Sequence, residues 1–99
     1  MPRKDERVSF LTEVDLEFAS GKRSARIADI SMGGCYMESI IQVQKGERFS
    51  FNITSTTGET ARFAGEVAYA FDGMGFGVEF TELDDSARKF LSKIIADKS

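Results

Sequence analysis

The chain has 99 residues, 41% of them hydrophobic and 29% charged, and a formal net charge of −3. This composition suits one domain with one core and excludes a disordered chain. No apolar run approaches the ~20 residues a membrane helix needs, and no signal-peptide pattern is present, so a cytoplasmic protein without membrane insertion is expected.

The acidic balance argues against a nucleic-acid polymer as partner, which needs a broad basic surface. It leaves room for a small anion held by a local basic cluster. Histidine is absent. The commonest general base and metal ligand is therefore missing, and with it the Ser-His and Cys-His nucleophile pairs. The acids are scattered or sit in clusters such as Asp84-Asp85. No enzymatic activity, metal site or cofactor is expected. The single cysteine, Cys35, has no partner for an internal disulfide and reads as a small structural residue.

The first element begins at Val8. Val8, Phe10, Val14, Leu16 and Phe18 share one parity, and Glu13, Asp15 and Glu17 share the other. Period two with one charged face predicts a half-buried strand. "SGK" at Ser20 to Lys22 marks a turn, and a second strand is predicted from Arg23 to Ile30. Gly33 and Gly34 interrupt the pattern before "CYMES" resumes it. After the "QKGE" turn, Phe49, Phe51 and Ile53 alternate with polar residues. "TTGET" reads as a hairpin loop around Gly58. Ala61, Phe63, Val67, Tyr69 and Phe71 alternate next. "DGMG" turns the chain into a last strand with Phe76, Val78 and Phe80.

The final segment changes period. Ala87, Phe90, Leu91, Ile94 and Ile95 form one apolar helical stripe, with Asp84 or Asp85 as N-cap. Six short strands and one amphipathic helix predict a mainly β fold: a six-stranded antiparallel β-barrel closed by a C-terminal α-helix. The expected layout is a single domain over residues 1–99, with a flexible segment 1–7, a barrel over 8–80 and a helix over 84–97.

Two stretches carry candidate chemistry. Arg3, Lys4 and Arg7 place three cations within five residues, running straight into the first strand. They are either a solvated charged tail or a clamp whose arginine forks match phosphate oxygens or the O6/N7 edge of guanine. "DISMGG" places Asp29 and Ser31 at one parity, followed by Gly33 and Gly34, which permit positive φ and close backbone approach. That stretch is either a strand end bonded to its own backbone or a polar ledge that accepts a base or a phosphate.

Arg3-x-x-x-Arg7, then 21 residues, then Asp29-x-Ser31-x-x-Gly34, resembles the two-part signature of the PilZ domain. "GEVAYA", "GFGVEF" and the C-terminal helix match that family in order and spacing. The resemblance implies a bacterial β-barrel that binds the second messenger cyclic di-GMP and signals to an unidentified downstream protein. It implies that Arg3 and Arg7 take guanine edges and phosphates, that Asp29 and Ser31 contact a guanine, and that Gly34 keeps the approach clear. Lys4 and Gly33 are neighbours without a defined role. Tyr69 stands where many members carry an aromatic against the ligand, while its own alternation points to the core. The alternative the resemblance leaves open is a protein-interaction module of the same fold that binds no nucleotide.

Overall fold

The computed structural model describes residues 7–98. Six strands precede one helix: β1 (Val8–Phe18), β2 (Gly21–Ile30), β3 (Gly34–Glu38), β4 (Arg48–Thr54), β5 (Thr60–Phe71), β6 (Gly75–Glu82) and α1 (Asp85–Lys98). All pairings are antiparallel, and the strands close into a barrel in the order β1-β2-β3-β6-β5-β4. The predicted barrel and helix are both present. β6 runs two residues past the predicted end at 80, and α1 starts one residue later than predicted because Asp84 is its cap. The Ala87 amide donates to Asp84 Oδ1 at 2.8 Å, satisfying a first-turn N–H that has no partner inside the helix.

The core follows from alternation. Inward residues of every strand meet on the barrel axis, where Leu16, Ile27, Met37, Phe51, Ile53, Val67 and Phe76 are fully buried. A chain of rings ties the strands to the helix. Phe51 lies 5.9 Å from Phe63, Phe63 lies 5.2 Å from Phe80, and Phe90 of α1 lies 5.9 Å from Phe63. Ala87, Phe90, Leu91 and Ile94 are the buried face of α1, as the stripe predicts. At the β1–β4 seam, Glu17 pairs with Ser50. The Arg62 guanidinium reaches Glu17 Oε1 at 2.8 Å and holds the Glu17 carboxyl below the usual carboxylate range.

The register is broken at two places that matter for the outer surface. Ile27 pairs with Met37 and Asp29 with Tyr36, so Ala28 is one residue extra on β2. Val67 pairs with Val78 and Tyr69 with Gly77, so Ala68 is one residue extra on β5. Each bulge reverses the inside–outside alternation of its strand. Tyr69 is consequently not in the core, contrary to its sequence alternation with Phe63 and Val67. It is 44% exposed on the outer wall.

Neither Gly33 nor Gly34 has a positive φ, so the expected left-handed conformation is absent there. Positive φ occurs instead at the turn glycines, among them Gly58 (91°) and Gly73 (76°). Gly34 is needed for close approach. A Cβ at this position would lie 1.9 Å from the Val78 carbonyl oxygen of β6. Backbone cannot yield as a side chain does. We therefore expect Gly34→Ala to destabilise the protein by about 3 kcal/mol, lowering Tm by more than ~10 °C in calorimetry. Asp84→Ala, which removes only the helix cap, should cost about 1 kcal/mol.

Candidate functional site

The pairing registers assemble one row across the outer wall: Ser9 on β1, Asp29 on β2, Tyr36 on β3, Gly77 on β6 and Tyr69 on β5. The two bulges create it. Without Ala28, Asp29 would follow Ala25 and Ile27 inward, and without Ala68, Tyr69 would follow Phe63 and Val67. A carboxylate and an aromatic ring are thus lifted out of the core and set on the same row.

Arg7 stands one residue before β1 and reaches across to this row. Its Nη1 donates to Asp29 Oδ1 at 2.6 Å, with the two side chains 46% and 36% exposed. The two halves of the sequence signature therefore meet in space, 22 residues apart in the chain. Such an exposed pair contributes only ~0–1 kcal/mol. Such a pair is cheap to separate.

Tyr36 and Tyr69 flank Gly77, with ring centroids 6.4 Å apart and planes at 28°. Gly77 makes room for this arrangement, since a Cβ there would meet Tyr69 Cε1 at 2.3 Å. Gly75 does the same beneath Tyr36, whose Oη would lie 2.7 Å from an added Cβ. Two glycines of one parity on β6 thus carry two tyrosine rings on the barrel wall.

Ser31 lies beyond the end of β2 and is 1% exposed. Its Oγ donates to the Gly34 carbonyl and accepts from the Gly33 and Gly34 amides, each at 3.2 Å. The hydroxyl fixes the loop, and its polar capacity is directed at local backbone. Asp29 and Ser31 therefore do not share a strand face as their parity suggests, because the strand has ended and the chain has bent. Ser31, Gly33 and Gly34 still line a hollow of about 220 Å³, together with Arg7, Tyr69, Gly77 and Glu79. Arg3 and Lys4 lie outside the described residues.

Two wall residues were not anticipated from sequence. Tyr36 sits two residues after Gly34, and its outward parity became visible only with the β3 register. Glu79 is an outward residue of β6 that pairs with Gly34 on one side and Glu66 on the other. Another hollow, of about 230 Å³, lies between α1 and the β4–β5 loop over Phe10, Phe90 and Ile94. Among the described residues, none of the signature lines it, so the candidate site is the Arg7–Asp29 wall.

Cys35 lies just inside that wall and is fully buried. Burial pushes its thiol well above the ordinary range, and the nearby Asp29 carboxylate adds to this. The unfolded chain ionises its thiol at about pH 8.5. A raised folded-state value means that the stabilising contribution is complete below that pH and is lost as pH rises above it.

A small closed barrel with an Arg–Asp pair and a tyrosine-walled hollow on its outer face defines the class of protein. The family model for the PilZ domain matches residues 2–97, and the chain belongs to the PilZ domain family. No curated protein sequence matches it. Among solved structures, the chain is similar to the PilZ domain of CeSA from a cellulose-synthesizing bacterium. The TM-score is 0.71 and identity 16%, over 93% of this chain and 96% of that one. It is also similar to the PilZ domain with c-di-GMP of YcgR from Escherichia coli, with a TM-score of 0.79 and 18% identity over 99% and 92% of the two chains. The Bacillus subtilis inhibitor of motility MotI/DgrA gives a TM-score of 0.83 at 15% identity, covering 98% of this chain and 51% of that longer one.

Two measurements follow from this wall. Asp29→Asn should lower Tm by no more than a few degrees, because the pair it breaks is exposed. Tm should fall above about pH 8.5, and Cys35→Ala should flatten that part of the profile. An unchanged slope in the alanine variant would show that other groups set it.

Proposed function

We propose that this protein is a receptor for cyclic di-GMP that passes a change of surface to a downstream protein. The observation that carries this is the Arg7–Asp29 contact beside the glycine-lined hollow. It joins a guanidinium fork, which suits phosphate or the O6/N7 edge of guanine, to a carboxylate that suits guanine's N–H donors. The family and the YcgR complex with c-di-GMP support the same ligand.

The dimensions agree with part of such a ligand. Pockets for drug-sized molecules span ~300–1,000 Å³, so a hollow of about 220 Å³ takes one base rather than a whole dinucleotide. The remainder would lie on the outer wall, over the Tyr36–Tyr69 pair, where π-stacking is available. Arg3, four residues before Arg7, brings a second fork to the exposed base or phosphates. In this reading Ser31 and Gly34 act by shaping the rim. Asp29 and Arg7 exchange their mutual contact for contacts with the nucleotide. Catalysis is not part of the proposal.

Calorimetric titration with cyclic di-GMP and cyclic di-AMP tests it. Adenine replaces the O6 acceptor with an amine donor, which faces the arginine fork unfavourably. Cyclic di-GMP should bind, and cyclic di-AMP should bind at least ~10-fold more weakly. At one hundred times Kd the nucleotide should stabilise the fold by ~2.7 kcal/mol, raising Tm by about 10 °C or more. Arg7→Ala should weaken binding ~5- to 150-fold while leaving the free protein's Tm nearly unchanged. Equal affinity for both nucleotides, or full affinity in Arg7→Ala, would falsify the proposal.

A further inference from the structure

Glu79 is the carboxylate that lines the hollow, and among the described residues it has no cation within salt-bridge distance. Its surroundings make this unfavourable. Its register partner on β5 is Glu66, a like charge directly opposite across the strands, which destabilises a sheet. The nearby cation is already engaged, since Arg48 Nε donates to Glu66 Oε1 at 3.1 Å. On the other side Glu79 faces Gly34, which offers no side chain. The cation that lines the hollow among the described residues, Arg7, is paired with Asp29.

An unpaired carboxylate in the wall of a hollow meant for a phosphate diester repels that ligand. It is favourable there only when it meets hydrogen-bond donors, because a carboxylate is acceptor-only when ionised. Guanine supplies such donors. Its N1–H and exocyclic amine lie side by side, at the spacing of two carboxylate oxygens, and form charge-assisted bonds with them. Adenine presents a bare N1 acceptor at the corresponding edge and would face the carboxylate with like polarity. The hollow has the volume for one base, and Glu79 is on its wall.

We infer that Glu79 is a specificity-determining residue that accepts from the N1–H and exocyclic amine of the guanine seated in the hollow. The inference rests on the cyclic di-GMP assignment and deepens it. Arg7 and Asp29 then serve the part of the dinucleotide nearer the start of β1, and Glu79 reads the base between β6 and the Ser31–Gly34 loop. Two carboxylates, rather than one, select guanine.

The test is calorimetric titration of the full chain with cyclic di-GMP and with its inosine analogue, which lacks only the exocyclic amines. The variants are Glu79→Ala, Glu79→Gln and, as a control for loss of one negative charge, Glu82→Ala further along β6. Glu79 is exposed, so Tm should be retained in its variants, or rise slightly as the repulsion from Glu66 is relieved. Glu79→Ala should bind cyclic di-GMP about tenfold or more weakly. Its preference for the guanine over the inosine dinucleotide should shrink several-fold relative to the parent. Glu79→Gln, which keeps one acceptor, should fall between. Glu82→Ala should match the parent. The inference is overturned if Glu79→Ala binds cyclic di-GMP as tightly as the parent or more tightly, since Glu79 is then only a repelling surface charge. A parent protein that binds no cyclic di-GMP overturns both this inference and the function beneath it, and that result is seen before any variant is compared.

Discussion

The site depends on two extra residues, Ala28 in β2 and Ala68 in β5. A strand that alternates without interruption delivers every second side chain to the core. Asp29 and Tyr69 occupy core parity by that count. A buried carboxylate in this phenylalanine-rich interior would be unpaired and strongly destabilising. One bulge on each strand resolves the conflict by rotating the following residues outward. Both bulges occur at the same level of the barrel, so the residues they expose fall on one row. The hydrophobic core and the polar wall are two outcomes of the same register.

The wall is rigid where shape matters and loosely held where charge matters. Ser31 spends its hydroxyl on the amides and carbonyl of its own loop, and Gly34 sits against the Val78 carbonyl with no space for a side chain. These contacts set the loop's distance from β6. Gly75 and Gly77 likewise fix where the tyrosine rings can lie. By contrast, Arg7 and Asp29 meet in water, through an interaction worth little to the fold. An exposed pair can be separated cheaply, whereas a deeply buried pair could not be broken without a large desolvation penalty.

Opposite the wall's polar row, the inner side of the same strands is apolar. Cys35 and Val78 pair directly behind the loop, and both are buried. A thiol there is held protonated by burial, because the boundary between dry core and wet wall runs through the backbone of β3 and β6. The helix is tied to the barrel through Phe90 and Phe63 and touches the loop only from outside the hollow, where Ser92 Oγ donates to Met32 Sδ at 3.9 Å. α1 supplies no residue to the hollow by the Ser31–Gly34 loop.

The amino-acid pattern by itself determined the element types and their order. Period two in six segments, period 3.6 in the last and glycine at the turns are local signals, and each is satisfied by its own few residues. Asp84 as helix cap belongs to the same category. The paired motif around Arg7 and Asp29 was also legible, since it is a matter of residue type and spacing. Tertiary structure alone decided what faces where. A bulge is defined by the partner strand's count, so nothing within β5 shows that Ala68 is extra or that Tyr69 points outward. The bonds of Ser31 to its own loop became visible only once the carbonyl of Gly34 was in place beside it. Tyr36 and Glu79 join the wall only because β3 and β6, some forty residues apart in the chain, are neighbours in the barrel. Such juxtapositions come from closure of the sheet, which depends on all six strands at once and on no single stretch of sequence.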